Sequence, residues 1–191
     1  MAGVKHPLFP QCIGFWEKMG LGFLIMEYIP GESLEEMLKR RGHFSPRQTA
    51  RMGVELAEGL SYLHNRREEF LFRDIKPANI MIRQDGRAKL VDFGCVCSNR
   101  DKITSRAGSP GFAAPEQLRG GDVLTPACDV YGLGRTLRTA LGPGKNIFFR
   151  RNRGERRLVH FLDLCTQERV EKRIPDMESV EHALKNLMFR F

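Results

Sequence analysis

The stretch FLFRDIKPANIMIRQDGRAKLVDFG, residues 70–94, sets Arg73 beside Asp74, Lys76 two residues on, then Asn79, and a second aspartate, Asp92, ahead of Phe93-Gly94. Its middle, IMIR-QDGR-AKLV, is two apolar runs around Asp85-Gly86. Asp-Gly is a strong signal for a two-residue hairpin loop. With those two residues as the loop, 84 pairs with 87, 80 with 91 and 79 with 92. Asn79 and Asp92 then face each other at the open end, where directly opposed Cβ atoms lie about 4.5–5.5 Å apart. An amide oxygen and a carboxylate at that separation can bracket a hard cation such as Mg²⁺.

Taken alone, this pair reads as turn-forming side chains that end a hairpin. Arg73, Asp74 and Lys76 just upstream change the weighing. Pro77 stiffens the connection and holds Asp74 near the same end. A base, a cation and two metal ligands converging on one point suit phosphoryl transfer, a chemistry that mostly needs positioning and charge neutralisation.

Upstream of this stretch, QCIGFW and GFLIMEY are short, β-prone apolar runs separated by a turn glycine, so they read as a hairpin. Ser33 is placed to cap a helix over LEEMLKRR, with acids in its first turn and bases in its last, and Gly42 ends it. Ser45 and Pro46 open a longer helix in which Met52, Leu56, Leu60 and Leu63 recur at helical spacing as a core stripe. Downstream, a Gly-, Ser-, Pro- and Thr-rich stretch runs to about residue 125. Helices are expected at roughly 126–141, 155–166 and 177–189. The fold class is α+β: a small β hairpin followed by a mostly helical body.

The composition is that of a globular chain, without repeats. The apolar run around Phe23–Met26 is far too short to span a bilayer, and MAGVKHPLFP has no apolar signal core, so a soluble, cytoplasmic protein is expected. Five scattered cysteines with no CxxC pair argue against a disulfide framework or a zinc site. Cys95 and Cys97 read as small hydrophobes on a strand. The net charge of +8 is concentrated in FFRRNRGERR, residues 148–157, read as a solvated or substrate-docking surface. Nucleic-acid binding is disfavoured, because no recognition motif accompanies the arginines.

FRDIKPAN, DFG and AAPEQ (113–117) together resemble the catalytic loop, metal-binding motif and activation-segment end of serine/threonine protein kinases of the eukaryotic type, including their bacterial members. FLIMEYIPGESL resembles the hinge of that family, DVYGLG its central helix and CTQERVEKRIPDMESV its closing segment. The resemblance implies ATP and Mg²⁺ as cofactors and a protein substrate carrying Ser or Thr. Asp74 would orient the substrate hydroxyl and accept its proton. Lys76 would neutralise the transferred phosphoryl group, and Ser109 would bridge the two. Asn79 and Asp92 would hold the metal ions. The main chain of Glu27 and Ile29 would meet adenine, with Met26 as gatekeeper and Met81 as the floor. Glu116 and Arg173 would form a buried pair, and Asp129 would bind catalytic-loop backbone. Thr104 and Ser105 would be regulatory phosphorylation sites. Residues 1–28 then correspond to two strands of an N-terminal lobe, 29–33 to the hinge and 34–191 to the C-terminal lobe.

Two features depart from the family pattern. Phe72 stands where the family usually has His, a position that packs and does not transfer the proton. The segment before residue 72 holds no G-x-G-x-x-G-x-V loop and no V-A-I-K lysine, and Lys5 and Lys18 are the only lysines before the hinge. The expectation is therefore a kinase region whose remaining N-terminal lobe lies upstream in a longer chain. The alternative is a non-catalytic kinase-like scaffold that binds partners through its helical body.

Overall fold

The computed structural model describes residues 3–98, 107–121, 123–142 and 153–189. The chain opens with a hairpin, β1 (Cys12–Lys18) and β2 (Leu21–Met26). Lys18 pairs with Leu21 across a two-residue turn in which Met19 and Gly20 both have positive φ, 54° and 74°. Such a turn carries the twist that antiparallel strands favour. A bulge between Cys12 and Gly14 interrupts the register near its base.

A two-residue strand, β3 (Glu32–Ser33), leads into α1 (Leu34–Arg41). Ser33 accepts from the Glu36 N–H while the Glu36 carboxylate reaches back to the Ser33 N–H, a reciprocal cap. The same device, Ser45 with Gln48, opens α2 (Pro46–His64), with Pro46 at its first position. The stripe anticipated from spacing is core: Leu56, Leu60 and Leu63 are fully buried and Met52 nearly so. Short strands β4 (Phe70–Leu71), β5 (Ile80–Ile82), β6 (Ala88–Leu90) and β7 (Cys97–Ser98) follow. β3, β5 and β6 form one antiparallel sheet, and β4 pairs with β7. The helical body is completed by α3 (Pro115–Arg119), α4 (Ala127–Leu141), α5 (Arg153–Cys165) and α6 (Met177–Met188). α2 packs on α4 and α6, and a single large core joins them to β5 and β6.

The β5–β6 register corrects the sequence-based expectation. Ile80 pairs with Leu90, Met81 with Lys89 and Ile82 with Ala88, one residue away from the anticipated pairing. The loop is three residues, Gln84 to Gly86: the Arg83 N–H donates to Arg87 O (3.0 Å) and the Gly86 N–H to Arg83 O (2.9 Å). Gly86 sits in the left-handed region at φ 78°. Asp-Gly therefore marks a turn followed by a left-handed residue, the commoner three-residue variant, rather than a two-residue loop. One consequence is that the residue opposite Asn79 is Val91, whose N–H donates to Asn79 O at 2.8 Å. Asp92 is not Asn79's cross-strand partner, and the cross-strand argument for a metal pair does not hold.

Three small features escaped the sequence reading: β3, α3 and the β4–β7 ribbon. Among the described residues no helix is long and apolar enough to cross a membrane. Thr104, Ser105 and residues 148–152 of the arginine-rich run lie outside the described residues.

Candidate functional site

The turn between β4 and β5 carries the catalytic-loop candidates, and three scaffolding contacts fix its backbone. Asp129, fully buried on the first turn of α4, accepts from the Phe72 N–H and the Arg73 N–H, both at 2.7 Å. Thr136 Oγ1, two turns further along the buried face of α4, donates to Ile75 O at 3.0 Å. Gln117 Nε2 of α3 donates to Arg73 O at 2.9 Å and to Ala107 O at 3.2 Å. Arg73 occupies a left-handed conformation, φ 67°, uncommon for a non-glycine residue. Its guanidinium Nε donates to Cys95 O at 2.6 Å, tying the loop to the segment after Phe93-Gly94.

On this scaffold four side chains meet. Lys76 Nζ donates to Asp74 Oδ2 at 2.8 Å and to Ser109 Oγ at 2.7 Å. The Ser109 N–H donates to Asp74 Oδ1 at 3.0 Å. Asn79 Nδ2 donates to Asp74 O (3.0 Å) and to Asp74 Oδ2 (3.1 Å). Gly108 permits the approach of the Ser109 segment: its φ is 112°, and a Cβ there would lie 3.0 Å from Arg73 O and 2.8 Å from the Ala113 side chain. Burial pushes the Asp74 carboxyl up. Hydrogen bonds from Lys76 and Ser109, the Lys76 charge and Asn79 outweigh it and hold the group below its ordinary value. Asp74 is thus a carboxylate at neutral pH, an acceptor fixed in direction by its donors.

Asp92 follows β6 at φ 69° and is exposed, with Oδ1 accepting from the Gly94 N–H at 3.1 Å. Its neighbour Phe93 stands between Phe72 and Phe9, each ring centroid 5.9 Å away. Phe72 is fully buried. It fills by packing the position where the resembling family usually has His, as expected.

Two further expectations can be measured. Arg173 forks onto Glu116, Nη1 to Oε1 at 2.6 Å and Nη2 to Oε2 at 3.1 Å, both side chains buried. Arg173 also donates to Ala127 O at 2.8 Å, which links the end of the helical body to the start of α4. Asp129 holds the loop backbone as anticipated.

The residues assigned to the adenine side are more dispersed. Met26 ends β2 opposite Cys12. The Glu27 N–H donates to Gln11 O at 2.9 Å. Its carboxylate accepts from the Gln11 N–H at 3.0 Å and from Lys89 Nζ at 3.4 Å. Ile29 is buried, and Met81 lies half-buried at the centre of β5 between Ser33 and Lys89.

Sequence reasoning missed His64, Gln117 and Thr136. His64 Nε2 shares Asp129 Oδ2 at 2.8 Å, deep in the core. The available signal was polar residues set within apolar stripes, His64 directly after Leu63 and Thr136 between Gly134 and Leu137. Such residues need a buried partner.

The protein kinase domain family model matches residues 1–191. The chain is 40% identical over 161 residues to the serine/threonine-protein kinase PknK of Mycobacterium tuberculosis (strain ATCC 25618 / H37Rv), covering 83% of this chain and 14% of that protein. It is 34% identical over 196 aligned positions to the probable serine/threonine-protein kinase PBL10 of Arabidopsis thaliana, covering 95% and 47%. It is 34% identical over 116 residues to the human cAMP-dependent protein kinase catalytic subunit PRKX, covering 61% and 32%. The chain spans less than half the length of these relatives.

Proposed function

The chain belongs to the protein kinase family, and from that premise we propose that it is the catalytic region of a serine/threonine protein kinase, carrying the γ-phosphate of ATP to a Ser or Thr hydroxyl of a protein. The observation that carries this reading is the hydrogen-bonded cluster of Asp74, Lys76, Ser109 and Asn79. An ionised Asp74 orients an incoming hydroxyl and accepts its proton as the new phosphorus–oxygen bond forms and the bond to the leaving ADP breaks. Lys76 neutralises charge building on the phosphoryl oxygens, and Ser109 keeps Lys76 beside Asp74. Such fixed charges act where the transition state needs them without reorganising.

Mg²⁺ fits the remaining donors. Asn79 Nδ2 is committed to Asp74, which leaves its amide oxygen for a cation, and Asp92 offers an exposed carboxylate. Two protein oxygens match an ion that keeps several waters and phosphate oxygens in its shell. Among the described residues no cluster of three His, Cys, Asp or Glu competes for a softer metal. When bound, Mg²⁺ supplies charge neutralisation on the phosphates. On the adenine side the reading assigns the main chain of Glu27 and Ile29, with Met26 as gatekeeper and Met81 as the floor.

The same proposal divides the chain into N-lobe strands (1–28), hinge (29–33) and C-lobe (34–191). The rest of the N-lobe would be supplied by a segment that covers β1 and β2, whose large apolar side chains are exposed. Cysteines that form no disulfide among the described residues suit a reducing compartment, the cytoplasm.

The test uses a chain extended upstream to include a glycine-rich loop and its strand lysine, with labelled ATP, Mg²⁺ and mixed Ser, Thr and Tyr peptides. Label should appear on Ser and Thr, and Asp74→Asn should lower the rate by about 10²-fold or more, the scale of a lost catalytic group. Equal rates in wild type and Asp74→Asn, or label on Tyr alone, would refute the assignment.

A further inference from the structure

On the far side of the β5–β6 hairpin from Asp74, a groove of about 640 Å³ opens between α1, the first half of α2 and the 84–86 loop. That volume is in the range of ligand-binding clefts. Its floor is apolar: Met52 is buried, and Phe44 and Ile82 are partly buried. Its rim carries Arg40, Arg41, Arg51 and Arg83, against only two carboxylates in the lining, Glu32 and Glu55.

The arginines are unequally engaged. Arg40 forks onto Glu32, with Nε to Oε1 at 2.9 Å and a second contact from NH2 to Oε2. Arg51–Glu55 and Arg83–Asp85 are long, 3.6 Å each, beyond hydrogen-bond range. Arg41 makes none of these pairs. Three guanidiniums therefore keep their planar donor edges for an incoming carboxylate, for which the fork geometry is matched.

We propose that this groove docks an acidic segment of a protein partner, with an apolar side chain on the Met52–Phe44–Ile82 floor and flanking carboxylates on Arg41, Arg51 and Arg83. A ligand made only of phosphates would satisfy the rim and leave the floor uncovered. An apolar peptide would satisfy the floor and leave the rim without its complement. The groove opens at the loop end of the β5–β6 hairpin, while Asn79 precedes β5 at the other end. An occupant there leaves the Asp74 cluster open, and its binding is measurable without any phosphate transfer.

The test measures fluorescence anisotropy of a labelled short peptide alternating Glu with Leu around one Phe, titrated with the 191-residue chain. Arg41→Glu/Arg83→Glu should weaken binding about tenfold, the size of losing and reversing two partly exposed ion pairs. Arg47→Glu, on the same helix but outside the groove, should leave it unchanged. An all-Glu peptide of equal length should bind more weakly than the labelled one. Four results would overturn the proposal. The double variant could bind as wild type does. Arg47→Glu could lose as much, which would mean general attraction to a basic protein. The all-Glu peptide could bind equally. A single-stranded oligonucleotide could displace the peptide as well as unlabelled peptide does, making nucleic acid the occupant.

Discussion

The two hairpins of this chain are built from similar local instructions and end in opposite environments. Both have β-branched and aliphatic strands and a glycine at positive φ in the turn, Gly20 at 74° and Gly86 at 78°. In β5–β6, Ile80 and Leu90 are fully buried against the helical core. In β1–β2, Phe15 is 67% and Trp16 60% exposed, with Ile13, Leu21, Phe23 and Ile25 also open to solvent. Burying one such side chain is worth about 1.5–3 kcal/mol, so an isolated two-stranded hairpin that forgoes several of them is marginal. The difference teaches that strand pattern and turn chemistry specify a hairpin, while its stability is supplied by whatever packs on its faces. Among the described residues, the helical body packs on one hairpin and leaves the large apolar side chains of the other exposed.

The largest expected effect lies at the base of the helical body. Arg173→Met removes the guanidinium and leaves Glu116 buried without its partner. Breaking a buried pair in this way costs about 3–5 kcal/mol. For a chain of this size the melting temperature should fall by roughly 10 °C. A shift of only a degree or two by differential scanning calorimetry would mean that the pair lies outside the cooperative unit.

A smaller and more pointed contrast comes from the two turns. Gly86→Ala and Gly20→Ala each force alanine into the left-handed region, a local cost of about 1 kcal/mol. In the helical body that cost should appear in the denaturant midpoint. In β1–β2 it should not, because that hairpin opens below the global transition. Equal midpoint shifts for the two variants would show that both hairpins unfold with the core, and the contrast between them would fail.

The smallest effect is in pH dependence. Burial raises the Asp74 pKa, but hydrogen bonds from Lys76 and Ser109 outweigh it, so the folded value is depressed. The stabilisation this implies is fully present above the unfolded value, about 4, and is lost as pH falls through the lower folded value. The stability difference between wild type and Asp74→Asn should stay constant from neutral pH to about 4 and narrow below it. A gap that widens on acidification would reverse the sign of the shift.

Much of this is legible in the sequence. Ser33, Ser45 and Pro46 fixed helix starts because capping is local chemistry, and both caps form as the residues dictate. Asp74, Lys76 and Ser109 were linked through motif resemblance, although 33 residues separate Lys76 from Ser109. The hairpin register was not legible, because Asp-Gly fits a two- or a three-residue loop, and one residue of slip changes which side chain faces which. Lacking a pattern of their own, the supports of the loop were hidden for another reason. Gln117, Thr136 and His64 act through hydrogen bonds to backbone or to Asp129 that reach far along the chain. Nothing in a single chain marks where such a partner will come from. The absence of a glycine-rich loop and a strand lysine already implies that the β1–β2 pair, left alone, exposes a sheet edge and apolar surface. How apolar its open faces are is a property of the fold.

The measurement that bears most directly on this contrast is phosphate transfer by the 191-residue chain beside its upstream-extended form. On the proposed reading the helical body supplies Asp74, Lys76, Asn79 and Asp92, while no lid over the phosphates and no second lysine to anchor them is assigned among the described residues. Losing one preorganised charge contact costs about 10²–10³ in rate, and open solvent weakens those that remain. With labelled ATP, Mg²⁺ and a Ser/Thr peptide, the 191-residue chain should transfer at the level of its own Asp74→Asn control while the extended chain is active. If the 191-residue chain matches the extended one and the control is dead, the helical body anchors the phosphates by itself. Lys5 and Lys18 would then be the first residues to substitute.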